Sequence, residues 1–394
     1  MIAYLNALGL NCALGMDAAQ VASRLFAGDC SGLRLQAEWL PEGDVLTAPV
    51  AGPLAPLPPE LAHHESRNNR LLLQAARQIE GPLRAALSEY GADRVGVVLG
   101  TSTSGIEEAS SAFERYLSHG QLGGGYDYRQ QLLEAPAACL SDWLGSTGPS
   151  YVISTACTSS GRALMSARRL LAIGACDAVV CGGVDSLCKL TLNGFTALTA
   201  VSATGCNPFS RNRDGINIGE GAALFLMTRE AHFGGEGIAL LGAGASSDAH
   251  HISAPAPDGE GAYVAMQKAL AQAGLAPEQI GYLNLHGTAT VHNDAMEGLA
   301  VKRLFPTGVP CSSSKPMTGH TLGAAAALEA AFCWLSLHHG RLPPHRWDGE
   351  LDPGIPNLDW VEADARLAQG SCLMSNSFAF GGNNVSLILG VPHA

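Results

Sequence analysis

Only 15% of the 394 residues are charged, and basic ones are the scarcer: 23 Lys and Arg against 35 Asp and Glu leave a formal net charge of −12. That deficit argues against a generally cationic nucleic-acid binder. The eleven cysteines, an odd and scattered set, include no CxxC pair and no Cys/His spacing of the zinc type. The opening MIAYLNALGLNCALGMDAAQ lacks a cationic segment ahead of its apolar stretch, which gives no support to a secretory signal. No apolar run reaches the roughly 20 residues of a bilayer span. The longest, Leu322 to Leu337, is interrupted by Glu329. Free thiols without an export signal point to the reducing cytoplasm, with neither a membrane nor a nucleic acid as partner. The 47 glycines and 21 prolines follow no triplet period, which excludes collagen, and 47% hydrophobic residues are too many for a disordered chain. A soluble globular protein with two core units is expected at this length.

Short β-rich runs alternate with helical ones. Strands are expected at Arg94–Leu99, Ser150–Ile153, Ala178–Cys181, Ala222–Met227 and Ile280–Leu285, and helices at Arg70–Gln78, Gly161–Ile173 and Tyr263–Ala273. This alternation predicts an α/β fold, and runs such as GVVL and AVVC read as strands buried on both faces. The polar, glycine-rich stretch Glu230–Gly237 is a plausible join, giving halves 1–235 and 236–394. In each half a strand leads to a reactive-looking residue and then a small-residue helix, which suggests duplication. PLAPLPPE, Pro53–Glu60, reads as a surface loop.

Four segments carry residues suited to chemistry. In Ser154-Thr155-Ala156-Cys157-Thr158-Ser159-Ser160-Gly161 a β-run feeds a small-residue turn and a helix, placing Cys157 near that helix's amino end. Unpaired N–H groups there favour a thiolate, so Cys157 is either an activated nucleophile or a buried structural cysteine. His286 closes the apolar run IGYLNL ahead of Gly-Thr, and is either a site residue or a core histidine. His320 precedes an almost wholly apolar helix, whose positive end disfavours the imidazolium; Lys315 stands five positions earlier. Last comes Asn376-Ser377-Phe378-Ala379-Phe380-Gly381-Gly382-Asn383-Asn384, either a swinging loop that approaches a ligand or a plain tight turn.

Taken in order, these pieces resemble the elongating β-ketoacyl-acyl carrier protein synthases of the thiolase superfamily. The resemblance spans nearly the whole chain and extends to ALGLNCALG, AVVCGGVDS and NPFSRNRDGINIGEGAALFLM. It implies a five-layered αβαβα thiolase-like fold built from two similar halves, and a dimer. The implied reaction is a decarboxylative Claisen condensation with malonyl-acyl carrier protein, giving a β-ketoacyl chain two carbons longer, in fatty acid or polyene/polyketide biosynthesis. On this resemblance Cys157 holds the acyl group, while His286 and His320 bind the thioester oxygen as enolate charge develops. Lys315 supports the histidines by pairing with Glu297. The N–H groups of Cys157 and Phe380 form the oxyanion hole, and Phe380 is also the gate. Thr288 and Thr290 contact the phosphopantetheine arm, and Phe195 belongs to the acyl pocket or simply to the core. Glu329 and Asn376 match a place where some members hold a monovalent cation. No cofactor is required beyond the phosphopantetheine of the acyl carrier protein. Docking an acidic carrier needs local positive charge, for which Arg67 and Arg70 are candidates.

The chain departs from the family pattern at Val291 and His292 after HGTAT, at Met296 before Glu297, and in GGNN where GGTN is usual. These changes reshape the pantetheine entrance and make a dedicated polyene or polyketide synthase a serious alternative to the general branch. Other readings are a coenzyme A thiolase, an initiating Cys-His-Asn synthase, a non-catalytic or heterodimeric chain-length partner, and the catalytic half of a heterodimer with such a partner. A thiolase needs a second cysteine where Phe380 stands, and non-catalytic partners usually lack the nucleophile that Cys157 supplies.

Overall fold

The computed structural model describes residues 1–41, 43–123 and 125–392. Its strands are β1 (Ala3–Asn11), β2 (Arg34–Leu40), β3 (Gly43–Thr47), β4 (Val95–Gly100), β5 (Ser150–Ile153), β6 (Ala178–Asp185), β7 (Gly221–Thr228), β8 (Ala239–Ser247), β9 (Ile280–Asn284), β10 (Pro310–Ser312), β11 (Asp359–Trp360), β12 (Cys372–Phe378) and β13 (Asn383–Gly390). β2 and β3 form a separate hairpin, and the others share one sheet in the order β11-β10-β9-β12-β13-β8-β1-β7-β6-β4-β5.

That order contains the same arrangement twice. From β1 outward, β1-β7-β6-β4-β5 makes two antiparallel and then two parallel pairings. From β8 outward in the other direction, β8-β13-β12-β9-β10 repeats the sequence of pairings. The sets meet where β1 pairs with β8 at Ala3–Leu240 and Tyr4–Ala239. The duplication suggested by the sequence is therefore real, and it is written in strand order rather than in residue identity. Residues 230–237 link β7, the last strand of the first set, to β8, the first of the second.

Two helices lie between the sets. Ser159–Ala172 follows β5 and packs on β4, β5 and β6 and also on β13, while Ala325–His339 follows β10 and packs on β12, β13, β6 and β7. A helix facing apolar surface on all sides should be apolar all round. Ala325–His339 complies: eleven of its fifteen residues are buried, and Gly340 ends it in the left-handed conformation at φ 61°. The helices Arg67–Gln78 and Ala135–Leu144 cover the outer face of the first set and Glu260–Ala273 that of the second, completing five layers. Strands covered on both sides should be continuously apolar, and every residue of β4, β6 and β7 is buried.

The two middle helices touch closely. Ser160 Oγ accepts a 2.9 Å hydrogen bond from the Ala327 N–H. A methyl added at Gly161 would lie 3.2 Å from Ala326 Cβ and 3.0 Å from Val385 Cγ1, so a side chain here would need its neighbours to give by a few tenths of an ångström. Among the described residues, no helix is long and apolar enough to cross a membrane.

Candidate active site

Parallel strands present their carboxyl ends on one side, where loops are free to carry function. Here the loops after β5 and β9 bring Cys157 and His286, and the segments after β10 and β12 bring His320 and Phe380. The Cys157 turn is held by its own small polar residues. Thr158 Oγ1 donates to Thr155 O at 2.7 Å, Ser159 Oγ to Ala156 O at 2.5 Å, and the Thr155 N–H to Ser159 Oγ at 2.9 Å. Three alanine or leucine residues in these segments take the left-handed conformation: Ala156 at φ 54°, Ala289 at 61° and Leu322 at 51°. Each costs about 1–2 kcal/mol locally, and such strain gathers where side-chain direction matters more than local comfort.

His320 Nε2 lies 2.9 Å from Cys157 Sγ, and the His286 and His320 rings meet edge to face at 5.3 Å. All three side chains are buried, at 6%, 2% and 2% exposure. Burial pushes the Cys157 thiol up to about 12, against the pull of the Lys315 ammonium and of the N–H groups of Cys157 and Phe380. Desolvation thus outweighs the helix-end stabilisation expected from sequence, and the resting sulfur is a thiol. Burial first, and the Lys315 charge second, hold His286 and His320 well below the usual imidazole range, so both are neutral. Their Nδ1 atoms are buried without hydrogen-bond partners.

Lys315 is 1% exposed and ion-paired with Glu329, itself 3% exposed. Its ammonium also donates to the backbone oxygen of His286. The expected pairing of Lys315 with Glu297 is corrected here. Glu297 instead accepts the N–H groups of His286 and Gly287, each at 2.8 Å, and burial raises its carboxyl to about 7. Glu297 sits on the helix Val291–Leu304 and fixes the backbone of the His286 loop. The two residues of the suggested cation site each have protein partners. Glu329 contacts the Lys315 ammonium, whereas Asn376 accepts from Ser386 Oγ at 2.8 Å and turns its amide toward Met266 and Glu297.

The triad opens into a cavity of about 380 Å³ whose wall includes Phe195, Thr288, Thr290, His292, Phe378 and Phe380. Thr288 and Thr290 share a 3.0 Å hydrogen bond, and the Phe195 and Phe380 rings lie 5.5 Å apart at 36°. Gly381 donates to Ile252 O at 2.8 Å, tying the loop after Phe380 to a second stretch of the rim. Arg67 and Arg70, the candidate docking cations, each have an acid of their own. Arg67 forms a two-pronged pair with buried Glu220, and Arg70 binds Glu65. Each is thus already paired within the chain, with its side chain still more than a third exposed.

Two supporting residues escaped the sequence reading. Asp185, fully buried at the end of β6, accepts from Thr101 Oγ1, the N–H groups of Ser102 and Thr103, and the Gly323 N–H at 2.6 Å, joining the loop after β4 to the segment after His320. A carboxylate ending the run AVVCGGVD was its signal, because a buried charge needs partners. His345 accepts from the Ser313 N–H at Nδ1 and stacks on Trp360 with centroids 4.3 Å apart. Ser313 Oγ in turn donates to Gly287 O at 2.8 Å.

Comparison with known proteins gives concordant matches. Family models described as the N-terminal and C-terminal domains of beta-ketoacyl synthase match residues 55–232 and 238–346. The 3-oxoacyl-[acyl-carrier-protein] synthase 2 of Staphylococcus aureus is 33% identical over 341 residues, covering 83% of this chain and 84% of its own. A chain of the ketosynthase–chain length factor complex from Xenorhabdus doucetiae is 43% identical with TM-score 0.94, covering 99% of this chain and 98% of its own. A beta-ketoacyl synthase from Burkholderia phymatum STM815 is 28% identical with TM-score 0.89, over the full length of both.

Proposed function

The chain belongs to the β-ketoacyl synthase family, an acyltransferase family that lengthens acyl chains by decarboxylative condensation, and on that premise we propose how its residues divide the work. The observation that carries the proposal is the 2.9 Å approach of Cys157 Sγ to a neutral His320, with His286 beside it, in a cavity whose wall includes Phe195 and Phe380.

In the first stage the thiol of Cys157 attacks the thioester carbonyl of an acyl group on a phosphopantetheine arm. Its proton passes to His320 Nε2, and the arm leaves as a thiol, taking a proton back. A resting thiol that ionises only against a neighbouring base suits a site too dry to stabilise a standing thiolate. The N–H groups of Cys157 and Phe380 both bear on the sulfur, and they hold the oxygen of the tetrahedral intermediate. Thr288 and Thr290 line the route of the pantetheine arm, and Phe195 with Phe380 forms its movable wall.

In the second stage malonyl-carrier enters. Carbon dioxide departs, its bonding pair passes into the enolate, and the new carbanion attacks the acyl carbon while Cys157 leaves as thiolate. Two neutral imidazoles can each donate an N–H to the enolate oxygen without a formal charge that would bind the malonyl carboxylate and hold it back. Lys315 keeps them neutral through its charge and, with Glu329, is a positioning residue rather than a catalytic one. Glu297 positions His286 through the backbone.

The substrate is proposed to arrive on acyl carrier protein, with the phosphopantetheine belonging to that partner. Of the two pathway readings, the specialised polyketide-type one is favoured by 43% identity to a chain of the ketosynthase–chain length factor complex, against 33% to the fatty acid-type relative. β5 ends the sheet with one edge unpaired among the described residues, which supports pairing with a second chain. A second copy is the first reading and a chain-length partner the second. A division of the chain at 235/236 and a cytoplasmic location complete the proposal, the latter supported by eleven free thiols.

Intact mass after mixing with acyl-carrier proteins tests it. Wild type gains the acyl mass, Cys157→Ala does not, and malonyl-carrier releases a ketoacyl product two carbons longer. An adduct formed from acetyl-coenzyme A but from no carrier-bound acyl group would overturn the proposal.

A further inference from the structure

Away from the cavity, a second group of ligating side chains comes together on the outer layer. Residues Pro59–His64 form a 3₁₀ turn that leads through Ser66 into the helix Arg67–Gln78. It ends in two consecutive histidines, and their rings lie side by side with centroids 4.0 Å apart. Both face one carboxylate, Asp142, on the neighbouring helix Ala135–Leu144. His64 Nε2 is 2.8 Å and His63 Nε2 3.8 Å from the same oxygen, Asp142 Oδ2.

We propose that His63, His64 and Asp142 form a binding site for a divalent cation of the zinc class, distinct from the condensing site.

The donor chemistry is the first argument. Two imidazole nitrogens and one carboxylate oxygen form a set suited to borderline first-row ions rather than to calcium or magnesium, which favour oxygen ligands. Spacing is the second. Ligand atoms on a tetrahedral ion with bonds of ~2.0–2.1 Å lie about 3.3 Å apart. The separations of 2.8 and 3.8 Å bracket that value, and all three ligand atoms fall within 4.8 Å of one another.

Access is the third. His64 is anchored, with its side chain 7% exposed, while His63 at 36% and Asp142 at 56% face solvent, so an ion has an entry path and a fourth position for water. A simple ion pair needs one imidazole against one carboxylate. The second imidazole, brought up to the same oxygen by its neighbour's turn, is what a metal site adds. A bound ion would fasten the turn that precedes the helix Arg67–Gln78 to the helix Ala135–Leu144, replacing a single hydrogen bond by three coordination bonds.

The condensing triad itself offers a cysteine and two histidines within 4.8 Å, so the test must separate the two sites. Cobalt(II) does this, because thiolate ligation adds a sulfur-to-metal charge-transfer band in the near ultraviolet that a nitrogen–oxygen site lacks. Full-length Cys157→Ala protein is titrated with Co²⁺ and, separately, with Zn²⁺. The expected result is one equivalent bound, with visible ligand-field bands and no thiolate band. His63→Ala and Asp142→Ala, each made in that background, should lower affinity by at least about tenfold. Metal should raise the unfolding temperature of the parent and not of these variants, whose metal-free circular dichroism and melting serve as the check on folding. His63→Gln, a milder change at a half-exposed position, stands in if His63→Ala misfolds. No metal uptake by the Cys157→Ala protein, or uptake undiminished by His63 and Asp142 substitutions, overturns the proposal.

Discussion

Replacing Glu329 by Ala removes the carboxylate from a buried Lys315 ammonium and tests whether that pair supports the site. Both side chains are almost fully inaccessible, so water cannot take the place of the missing partner. Breaking such a pair from one side costs about 3–5 kcal/mol, whereas replacing both partners with apolar groups is often close to neutral. Glu329→Ala and Lys315→Met should therefore each lower stability by about that much, and Lys315→Met/Glu329→Ala by much less than their sum, giving a coupling of at least ~2 kcal/mol in a double-mutant cycle. Urea unfolding of the four proteins measures it.

The pair also has an electrostatic signature that packing alone would not produce. Lys315 holds both catalytic imidazoles below their usual range, secondary to burial. With the ammonium gone, their pKa values rise part of the way back, and the imidazoles protonate at higher pH than in the wild type. The acid limb of the malonyl decarboxylation profile should move upward in the double variant. If that limb stays in place, or if Glu329→Ala costs less than ~1 kcal/mol, the assigned role of the pair is wrong.

Burial lowers His345 from 6.5 to about 3. The unfolded chain therefore binds the extra proton first, so the contribution of this neutral histidine is full above pH 6.5 and falls as pH drops toward 3. Between pH 7 and 4.5 wild type should lose about 2–3 kcal/mol more than His345→Phe, read from urea midpoints at the two values. Equal losses would refute it. Glu297→Leu orphans two buried N–H groups and should cost about 2–6 kcal/mol with a fall in kcat, and Glu297→Gln, which keeps an acceptor oxygen, should recover part of both. Full activity in the leucine variant would remove Glu297 from the site. Phe195→Ala deletes one ring of an aromatic pair worth about 0.5–1.5 kcal/mol, so stability should fall by about that much, and acyl-transfer kcat/KM should fall with the loss of part of the cavity wall. An unchanged kcat/KM would make Phe195 a bystander.

The site's reactive atoms were legible because each stands in a short segment of distinctive composition at a strand end. Cys157, His286, His320 and Phe380 meet where those segments converge. Their supports were less legible, because partners are chosen in three dimensions. Lys315 had two buried acids to choose from, 18 residues upstream and 14 downstream in the sequence, and only the packing of the helix Ala325–His339 selects the second. Arg67 looks like a cation at an exposed helix start, yet its acid is Glu220, 153 residues away.

The same applies to the strands. GVVL and AVVC announce themselves as β4 and β6, but β8, ALLGAGASS, has the small residues of a turn-rich segment and weak intrinsic preference for a strand. It is a strand because β13 pairs along nearly its whole length. The state of Cys157 was misjudged for a related reason: a helix end is visible in sequence, but the depth at which it lies is not.

Gly161 opposite Ala326 acts as the closed jaw of a calliper. One jaw carries the sulfur and the other the imidazole that takes its proton, and the gap between them is set by how little matter lies where the jaws touch. A single methyl inserted there would press on Ala326 and Val385, which must give by a few tenths of an ångström, without replacing any group that reacts. The segments that carry the sulfur and its base are thus coupled through a position with no chemistry of its own.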